Sequence, residues 1–183
     1  MRVIAGMAKG MVLAVPRGDA TRPTSDRVRE AIFSSLGARV VDAAVLDLYA
    51  GTGALGLEAA SRGARSVLFV EQARAALDCL GKNILGFEKQ RGEQPVFEVW
   101  REEVFRALGK LPRQFTLIFA DPPYAVPPAP LLAAVKQSGG LTPDGLLVLE
   151  TSRRTELRLA EFWHLERDAV YGDTRVSYLR LLR

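Results

Sequence analysis

The segment Phe115–Tyr124 combines residue types that could orient an amine for nucleophilic attack. An apolar run ends in Asp121, Pro122, Pro123 and Tyr124. The Asp121 carboxylate and the Pro122 carbonyl can each accept a hydrogen bond from an N–H group, and the two prolines restrict the backbone so that these acceptors converge. Tyr124 offers an aromatic face on which a nucleic-acid base can stack, for about 1–3 kcal/mol. The pattern favours a site for the exocyclic amine of a base.

These residue types suit one chemical problem. The exocyclic amine of a base is a weak nucleophile, because its lone pair is delocalised into the ring. Two acceptors that bind both N–H hydrogens return electron density to the nitrogen and orient it. Since such a transfer needs the reacting atoms about 3–3.5 Å apart, positioning supplies much of the rate. We therefore predict that residues 121–124 are catalytic, acting on a base that has left its stack.

A glycine loop forms the second candidate site. The stretch Asp47–Gly56 follows an apolar run, and its glycines at positions 51, 53 and 56 fit the pattern G-x-G-x-x-G. Such glycines let backbone N–H groups approach a ligand, and an acid after the next strand can accept ribose hydroxyls. Glu71 stands at that position. The loop indicates a nucleoside cofactor, and a nicotinamide dinucleotide is the first alternative.

Asp47 distinguishes between the two classes of cofactor. A pyrophosphate binds at a helix N-terminus because N–H groups and the helix dipole attract negative charge, and a carboxylate beside it would repel it. S-adenosylmethionine carries an ammonium group and a sulfonium, which Asp47 can attract, while the loop N–H groups bind its carboxylate. We therefore predict S-adenosylmethionine, with Glu71 on its ribose. The predicted cofactor contacts are Asp47, Tyr49, Ala50, Gly51, Thr52, Gly53, Glu71 and Asp121.

Composition limits the other classes of function. The 183 residues, 48% hydrophobic and 25% charged, suit one soluble domain over residues 1–183. A lone Cys79 and a lone His164 argue against an internal disulfide and the common zinc sites, so we expect no metal. No apolar run reaches the roughly 20 residues of a membrane span, and the N-terminus lacks the pattern of a secretory signal. We expect a cytoplasmic monomer that has no membrane partner.

Positive charge is concentrated in the first 30 residues, which hold six basic and three acidic residues of a chain with net charge +4. A solvated basic surface would give this pattern, and so would an arm that contacts the phosphates of a nucleic acid. The apolar periodicity of the helix around Ile32 turns Arg27 and Arg29 away from the core. Both arginines are therefore candidates for phosphate contact.

Hydrophobic periodicity predicts alternating strands and helices from residue 44 onward. Strands covered on both faces are near-continuous apolar runs, and repeated strand–helix units form parallel sheets with right-handed crossovers. The last two runs are joined by a short turn and predict an antiparallel hairpin at one edge. The predicted strands are Ala44–Tyr49, Ser66–Glu71, Pro95–Trp100, Phe115–Asp121, Leu146–Glu150, Phe162–Val170 and Arg175–Leu182; the predicted helices are Leu55–Ser61, Arg74–Leu85, Glu102–Leu108 and Pro130–Gln137.

Residues 1–38 are predicted to form an extension that precedes a cofactor-binding core over residues 39–183. Two short apolar runs, Arg2–Ala5 and Met11–Val15, flank a glycine-containing turn and suggest a β-hairpin. A helix follows and ends at Gly37. We expect this extension to face the nucleic acid.

Several stretches resemble the bacterial family of class I S-adenosylmethionine-dependent methyltransferases that methylate N2 of a guanine in 16S ribosomal RNA. The resemblance covers almost the whole chain and is weakest around residues 86–114. Asp-Pro-Pro-Tyr is shared with DNA adenine methyltransferases. The stretches that resemble the family are Met1–Gly6, Arg22–Glu30, Asp47–Ala59, Ser61–Gly63, Glu71, Asp121–Tyr124 and Tyr171–Val176.

The resemblance implies a Rossmann-like α/β fold with a seven-stranded, mostly parallel sheet, an antiparallel last strand and helices on both faces. It also implies that the substrate is 16S ribosomal RNA or the assembling small subunit. Family members tend to have a Gly-Asp pair after the third strand, whose Asp contacts the adenine of the cofactor; here Glu103 is the substitute, with Glu102 as the alternative. The implied substrate contacts are Arg2, Lys9, Arg22, Thr24, Asp26, Arg27 and Arg29.

Two other functions remain open from the sequence. A DNA adenine-N6 methyltransferase would use the same Asp-Pro-Pro-Tyr motif, but such enzymes usually carry an additional target-recognition segment, for which this chain has little room. A nucleotide-binding module without catalysis, or a small dehydrogenase, would use the glycine loop alone. Methyl-transfer assays on matched DNA and RNA distinguish a DNA methyltransferase from an RNA methyltransferase. A comparison of S-adenosylhomocysteine with NAD as ligands distinguishes a methyltransferase from a dehydrogenase.

Overall fold

A seven-stranded sheet forms the centre of the computed structural model, which describes residues 1–16, 26–90 and 95–182. The strand order is β3-β2-β1-β4-β5-β7-β6. All neighbouring pairs are parallel except those of β7, which is antiparallel to both β5 and β6. The prediction of a mostly parallel sheet with an antiparallel last strand is confirmed. The strands are Ala44–Leu48 (β1), Ser66–Glu71 (β2), Val96–Arg101 (β3), Phe115–Ala120 (β4), Leu141–Ser152 (β5), Trp163–Tyr171 (β6) and Thr174–Leu181 (β7).

Helices cover both faces of the sheet. The helices are Asp26–Leu36 (α1), Ala54–Ser61 (α2), Arg74–Phe87 (α3), Val104–Leu108 (α4) and Pro128–Ser138 (α5). The first three pack on one face, where Phe33, Leu57 and Leu80 join a core with Phe119 of β4. The last two pack on the opposite face. Strand β1 is buried throughout and β4 is buried except at Thr116, which is why both are almost continuously apolar.

Most element boundaries lie within two residues of the predicted ones, and two of the differences concern the starts of α4 and β5. Helix α4 begins at Val104 rather than Glu102, because Glu103 is its N-cap residue. The Glu103 side chain accepts hydrogen bonds from the backbone N–H groups of Phe105 and Arg106, which have no partner within the first turn of the helix. Strand β5 begins at Leu141 rather than Leu146. Its early part pairs with Phe115 across an irregular register, despite a turn-like sequence of Pro, Asp and Gly.

The N-terminal hairpin is present as a short ladder rather than two full strands. Arg2 and Val12 form an antiparallel bridge. Val3 N donates to Met11 O at 2.9 Å, and Gly10 N donates back to Val3 O at 2.9 Å. The predicted hairpin is therefore confirmed in its pairing, although its extended part is shorter than expected.

A buried carboxylate anchors this hairpin to α2. Glu58 is completely buried, and its two oxygens accept hydrogen bonds from Ile4 N at 2.7 Å and Ala5 N at 3.1 Å. Arg62 Nε lies 2.7 Å from Glu58 Oε1 and supplies a compensating charge. Burying a charge is costly unless it is paired and hydrogen-bonded, so these contacts hold the segment in one place.

Within the described ranges, no helix has both the length and the apolar character that a membrane-spanning helix needs.

We predict opposite stability changes for two helical glycines. A Cβ on Gly56 would lie 2.3 Å from Phe69 Cε1 and 2.8 Å from Val67 Cγ1, whereas a Cβ on Gly81 would meet no atom within 4 Å. Gly56→Ala should lower the free energy of unfolding by about 1–3 kcal/mol through overpacking. Gly81→Ala should raise it by about 0.5–1 kcal/mol, because alanine favours the helix. Urea unfolding measures both; destabilisation by Gly81→Ala, or a neutral Gly56→Ala, would contradict the packing described.

Candidate active site

The crevice at the carboxyl ends of β1 and β4 brings the two predicted motifs together. These strands are neighbours, and Leu48 pairs with Ala120 at the end of their ladder. Tyr49 and Asp121 are therefore the first residues beyond the sheet on adjacent strands. The chain turns in opposite directions after β1 and β4, which opens a crevice of the kind where α/β sheets bind ligands.

The glycine loop depends on backbone conformations that glycine adopts without strain. Gly51 has φ 56° and Gly53 has φ 83°, both in the left-handed region. Gly53 N donates to Ala50 O at 2.8 Å, and α2 begins at the next residue. Tyr49 also has a positive φ, 57°, which is uncommon for a residue with a side chain. The loop thus bends sharply from β1 into the N-terminus of α2.

Asp47 lies behind this loop. Its side chain is only 2% exposed, and Oδ2 accepts a hydrogen bond from Gly56 N at 2.9 Å. Burial raises the pKa of the Asp47 carboxyl well above its usual range, and the negative charges of Asp121 and Glu71 raise it further. The three acids therefore interact electrostatically, and a cation bound near them would reduce their mutual repulsion. Direct contact of Asp47 with a ligand stays a prediction, since its oxygen already holds the first turn of α2.

Glu71 is fixed at the end of β2 by backbone donors. Its Oε2 accepts from Gly51 N at 2.8 Å, and Oε1 accepts from Gln72 N and Ala73 N, both at 2.8 Å. A carboxylate has about four acceptor sites, so these bonds leave about one for a ribose hydroxyl. Glu71 is placed beside the loop as predicted, but a bidentate ribose contact would have to displace one backbone N–H.

The two candidate acids for the adenine contact have different partners. Burial raises the pKa of Tyr49 to about 12, and the negative charge of Glu103 contributes to this rise. Its oxygens accept from the backbone N–H groups of Phe105 and Arg106, at 3.0 Å each. Glu102 instead pairs with Lys110 at 2.6 Å. The adenine contact of Glu103 stays a prediction, now with a structural reason for its preference over Glu102.

The Asp-Pro-Pro-Tyr segment leaves β4 as a rigid corner. Asp121 is half-buried and Pro122 is buried, whereas Pro123 and Tyr124 are exposed. Pro123 O accepts from Val126 N at 2.8 Å, which closes a turn with Tyr124 near its tip, 69% exposed. Among the described residues, no hydrogen bond to the Pro122 carbonyl oxygen is found. The corner thus presents a carboxylate, a carbonyl and an aromatic face at the same edge.

Arg29 was predicted to contact RNA, and this prediction is wrong. The residue is completely buried; its Nη2 donates to the Arg2 carbonyl and to Asp26 Oδ1, and its Nε lies 3.9 Å from Glu58 Oε2. No phosphate can reach a side chain enclosed in this way. The apolar periodicity places Arg29 outside the core-facing side of α1, but the buried face of this helix is wider and includes Arg29 three residues before Ile32.

Among the other predicted substrate contacts, Lys9 lies away from the crevice. Arg2, Lys9, Asp26 and Arg27 are exposed. Helix α2 runs away from the glycine loop at about 1.5 Å per residue, and Ser61 at its far end bonds Met7 and Ala8. Lys9 therefore lies far along α2 from the crevice. Arg22 and Thr24 lie outside the described residues.

Asn83 was not anticipated as part of the site. It lies on the buried stripe of α3 with Leu80 and Phe87, and its Nδ2 donates to Thr52 O in the glycine loop at 2.9 Å. A polar side chain in an apolar stripe was the available signal.

Among the described residues, no group of three or more His, Cys, Asp or Glu side chains has the arrangement of a metal site.

The chain is similar to known proteins over nearly its full length. It is 33% identical to ribosomal RNA small subunit methyltransferase D of Escherichia coli strain K12, over 97% of this chain and 87% of that protein. Its identity to the protein of the same name from Haemophilus influenzae is 30%, over 94% and 89% of the two chains. The solved structure of Escherichia coli yhhF superposes with a TM-score of 0.86 and 31% identity, and covers 99% of this chain and 97% of that one.

The family model described as Conserved hypothetical protein 95 matches residues 1–180. The fold supports the same assignment, since the seven-stranded sheet with antiparallel β7 superposes on Rossmann-like methyltransferases. The chain therefore belongs to the Conserved hypothetical protein 95 family, which is the family of the 16S ribosomal RNA methyltransferases resembled by its sequence.

Proposed function

We propose that this protein transfers a methyl group from S-adenosylmethionine to the exocyclic N2 amine of a guanine in 16S ribosomal RNA. The observation that carries the proposal is the adjacency of two unrelated motifs. The glycine loop and the Asp121–Tyr124 corner follow neighbouring strands in register and open on one edge. The relatives named as small subunit methyltransferases support ribosomal RNA as the substrate.

The charges of the crevice fit S-adenosylmethionine better than a dinucleotide. Asp47, Glu71 and Asp121 lie close enough for two of them to raise the pKa of the third. A pyrophosphate dianion would add to this repulsion, whereas an ammonium and a sulfonium would relieve it. The N-terminus of α2 faces the same loop and suits the carboxylate of the ligand. We assign the cofactor to Asp47, Glu71, Glu103, Asp121 and the loop residues 49–53.

When bound, S-adenosylmethionine supplies an electrophilic methyl group. The protein must then hold a poor nucleophile in line with it. Asp121 and the Pro122 carbonyl accept the two N–H hydrogens of the guanine amine, and Pro122 and Pro123 keep these acceptors from turning away. Tyr124 stacks on the base, since its exposed ring is free to cover an aromatic face. Catalysis in this account comes from orientation.

RNA binding is assigned to the exposed part of the N-terminal extension. Arg27 is exposed on α1, and Arg2 is exposed in the hairpin, where its carbonyl accepts from Arg29 of the same helix. Such side chains neutralise phosphates and release counterions, which gives affinity without sequence preference. Recognition of the guanine itself is left to the crevice.

Asp121→Ala should lower kcat for methyl transfer by about 100-fold or more, because one of the two acceptors that orient the amine is lost. Affinity for S-adenosylhomocysteine should stay within about threefold, since most cofactor contacts lie in the loop. Labelled methyl transfer to small ribosomal subunits and calorimetry measure the two quantities. Asp144→Ala serves as the control, because Asp144 is exposed in the first part of β5, away from the carboxyl ends of the strands. Unimpaired turnover in Asp121→Ala would remove the proposed role.

A parallel assay tests the choice of substrate. Labelled methyl transfer is measured on 16S ribosomal RNA and on DNA of matched sequence. We expect methyl transfer to the RNA alone; label on adenine in the DNA would favour the N6 alternative.

Arg27→Ala should weaken RNA binding and make its dependence on salt shallower, by about 0.9 in the slope of log K against log salt for one lost phosphate contact. Filter binding between low and moderate salt measures the slope. Arg65→Ala is the matched control, because Arg65 is also exposed but lies just before β2, outside the N-terminal extension. Equal slopes for wild type and Arg27→Ala would mean that Arg27 does not touch phosphate.

Binding of S-adenosylmethionine should release protons from Asp47. The pKa of this carboxyl is raised in the free protein, and a nearby cation would lower it. Between the two pKa values the proton leaves on binding, so affinity should fall as pH decreases through that interval. Calorimetry in buffers of different ionisation enthalpy counts the protons. Asp47→Asn keeps an acceptor for Gly56 N but should abolish this release; the same count in both proteins would contradict the cation site.

A further inference from the structure

One buried side chain contacts both the N-terminal segment and the glycine loop. Asn83 lies on α3 and is 3% exposed. Its Oδ1 accepts from Ala14 N at 2.7 Å, and its Nδ2 donates to Ala14 O at 3.1 Å and to Thr52 O at 2.9 Å. Both N–H hydrogens and one acceptor site of the amide are therefore in use. Neither aspartate nor leucine, which have a similar size, can make this set of bonds.

The side-chain amide of Asn83 bonds to the backbone of Ala14 in the way that the backbone of a neighbouring strand would. Both polar backbone groups of Ala14 bond to the same amide, as they would to a partner in a sheet. Met11 lies beside α3 less than one turn from Asn83, since a Cβ on Gly86 would be 3.7 Å from Met11 Sδ. The end of the N-terminal hairpin thus follows α3 and is fixed where that helix meets the glycine loop.

On the other side, Asn83 fixes one peptide of the cofactor loop. The carbonyl of the Thr52–Gly53 peptide bonds to Asn83, and its N–H bonds to Ala50 O at 2.8 Å. The flanking Gly51 and Gly53 have little conformational preference of their own, so external bonds determine how this peptide is oriented. The direction of the loop N–H groups therefore depends on Asn83.

We propose that Asn83 is a positioning residue that couples the N-terminal segment to the cofactor loop, so that binding of S-adenosylmethionine and binding of the RNA strengthen each other. The inference rests on the proposed function, because it takes the loop as the cofactor site and the N-terminal extension as RNA-facing. A ligand that holds Thr52 also holds Asn83 and, through it, Ala14. Linkage requires that the RNA then raises cofactor affinity by the same factor.

The coupling factor is measured with radiolabelled S-adenosylhomocysteine, whose affinity is compared with and without small ribosomal subunits purified from cells that lack this protein. Wild type should show an increase of at least about fivefold with subunits present. Asn83→Asp keeps the acceptor for Ala14 N but loses both donors, and its factor should fall to about one. Asn83→Leu, neutral and of similar size, replaces it if the buried charge prevents folding.

Ser61→Ala provides the matched control. Ser61 Oγ accepts from Ala8 N at 2.9 Å and so holds the same N-terminal segment, at a place distant from the glycine loop. This change should weaken binding to subunits and leave the coupling factor at its wild-type value. A merely structural role for Asn83 would make the Asn83 and Ser61 variants behave alike.

The outcomes separate the two proposals. Wild type that binds both ligands independently would overturn the coupling and leave the proposed function standing. A folded Asn83 variant with wild-type coupling would overturn it as well. Wild type that binds neither S-adenosylhomocysteine nor subunits would refute the proposed function, and the coupling with it.

Discussion

Strands β1 and β4 lie side by side in the sheet, although the chain forms β2 and β3 between them. Because Leu48 pairs with Ala120, the loops that follow the two strands leave the sheet next to each other. In a parallel sheet this happens where consecutive crossovers turn to opposite sides, and only there does a crevice open between loops. The register of these two strands therefore places a loop suited to a nucleoside beside a corner suited to an amine.

The same register concentrates negative charge. Asp47 lies one residue before the end of β1, Glu71 ends β2 and Asp121 follows β4. Burial raises the pKa of Asp47, and the negative charges of Asp121 and Glu71 raise it further. The fold tolerates this arrangement because backbone N–H groups of Gly51 and Gly56 bond two of the acids. A cationic ligand would reduce the repulsion between the acids in the free protein, and this reduction favours its binding. The acids thus favour a cationic ligand in this crevice.

Sequence patterns predicted the sheet and both halves of the crevice, because those features depend on local periodicity and on short motifs. The buried polar contacts between elements were not predictable in this way. Arg29 lies on the inward face of α1 and pairs with Glu58 of α2, a partner that no spacing rule identifies. Asn83 stands out in the sequence only as a polar residue in the apolar stripe of α3, and its partner in the glycine loop is known only once the helix is placed against that loop. The wrong prediction and the missed residue both concern contacts between residues far apart in the chain, which tertiary packing alone determines.

The most direct test of the account is the identity of the nucleoside that this protein modifies. Mass mapping of methylated nucleosides in small-subunit ribosomal RNA, from cells with and without the protein, reads that identity at single-nucleotide resolution. We expect that one N2-methylguanosine disappears when the protein is removed and returns when it is restored. An unchanged methylation map, or the loss of a methyl group from a position other than a guanine amine, would contradict it.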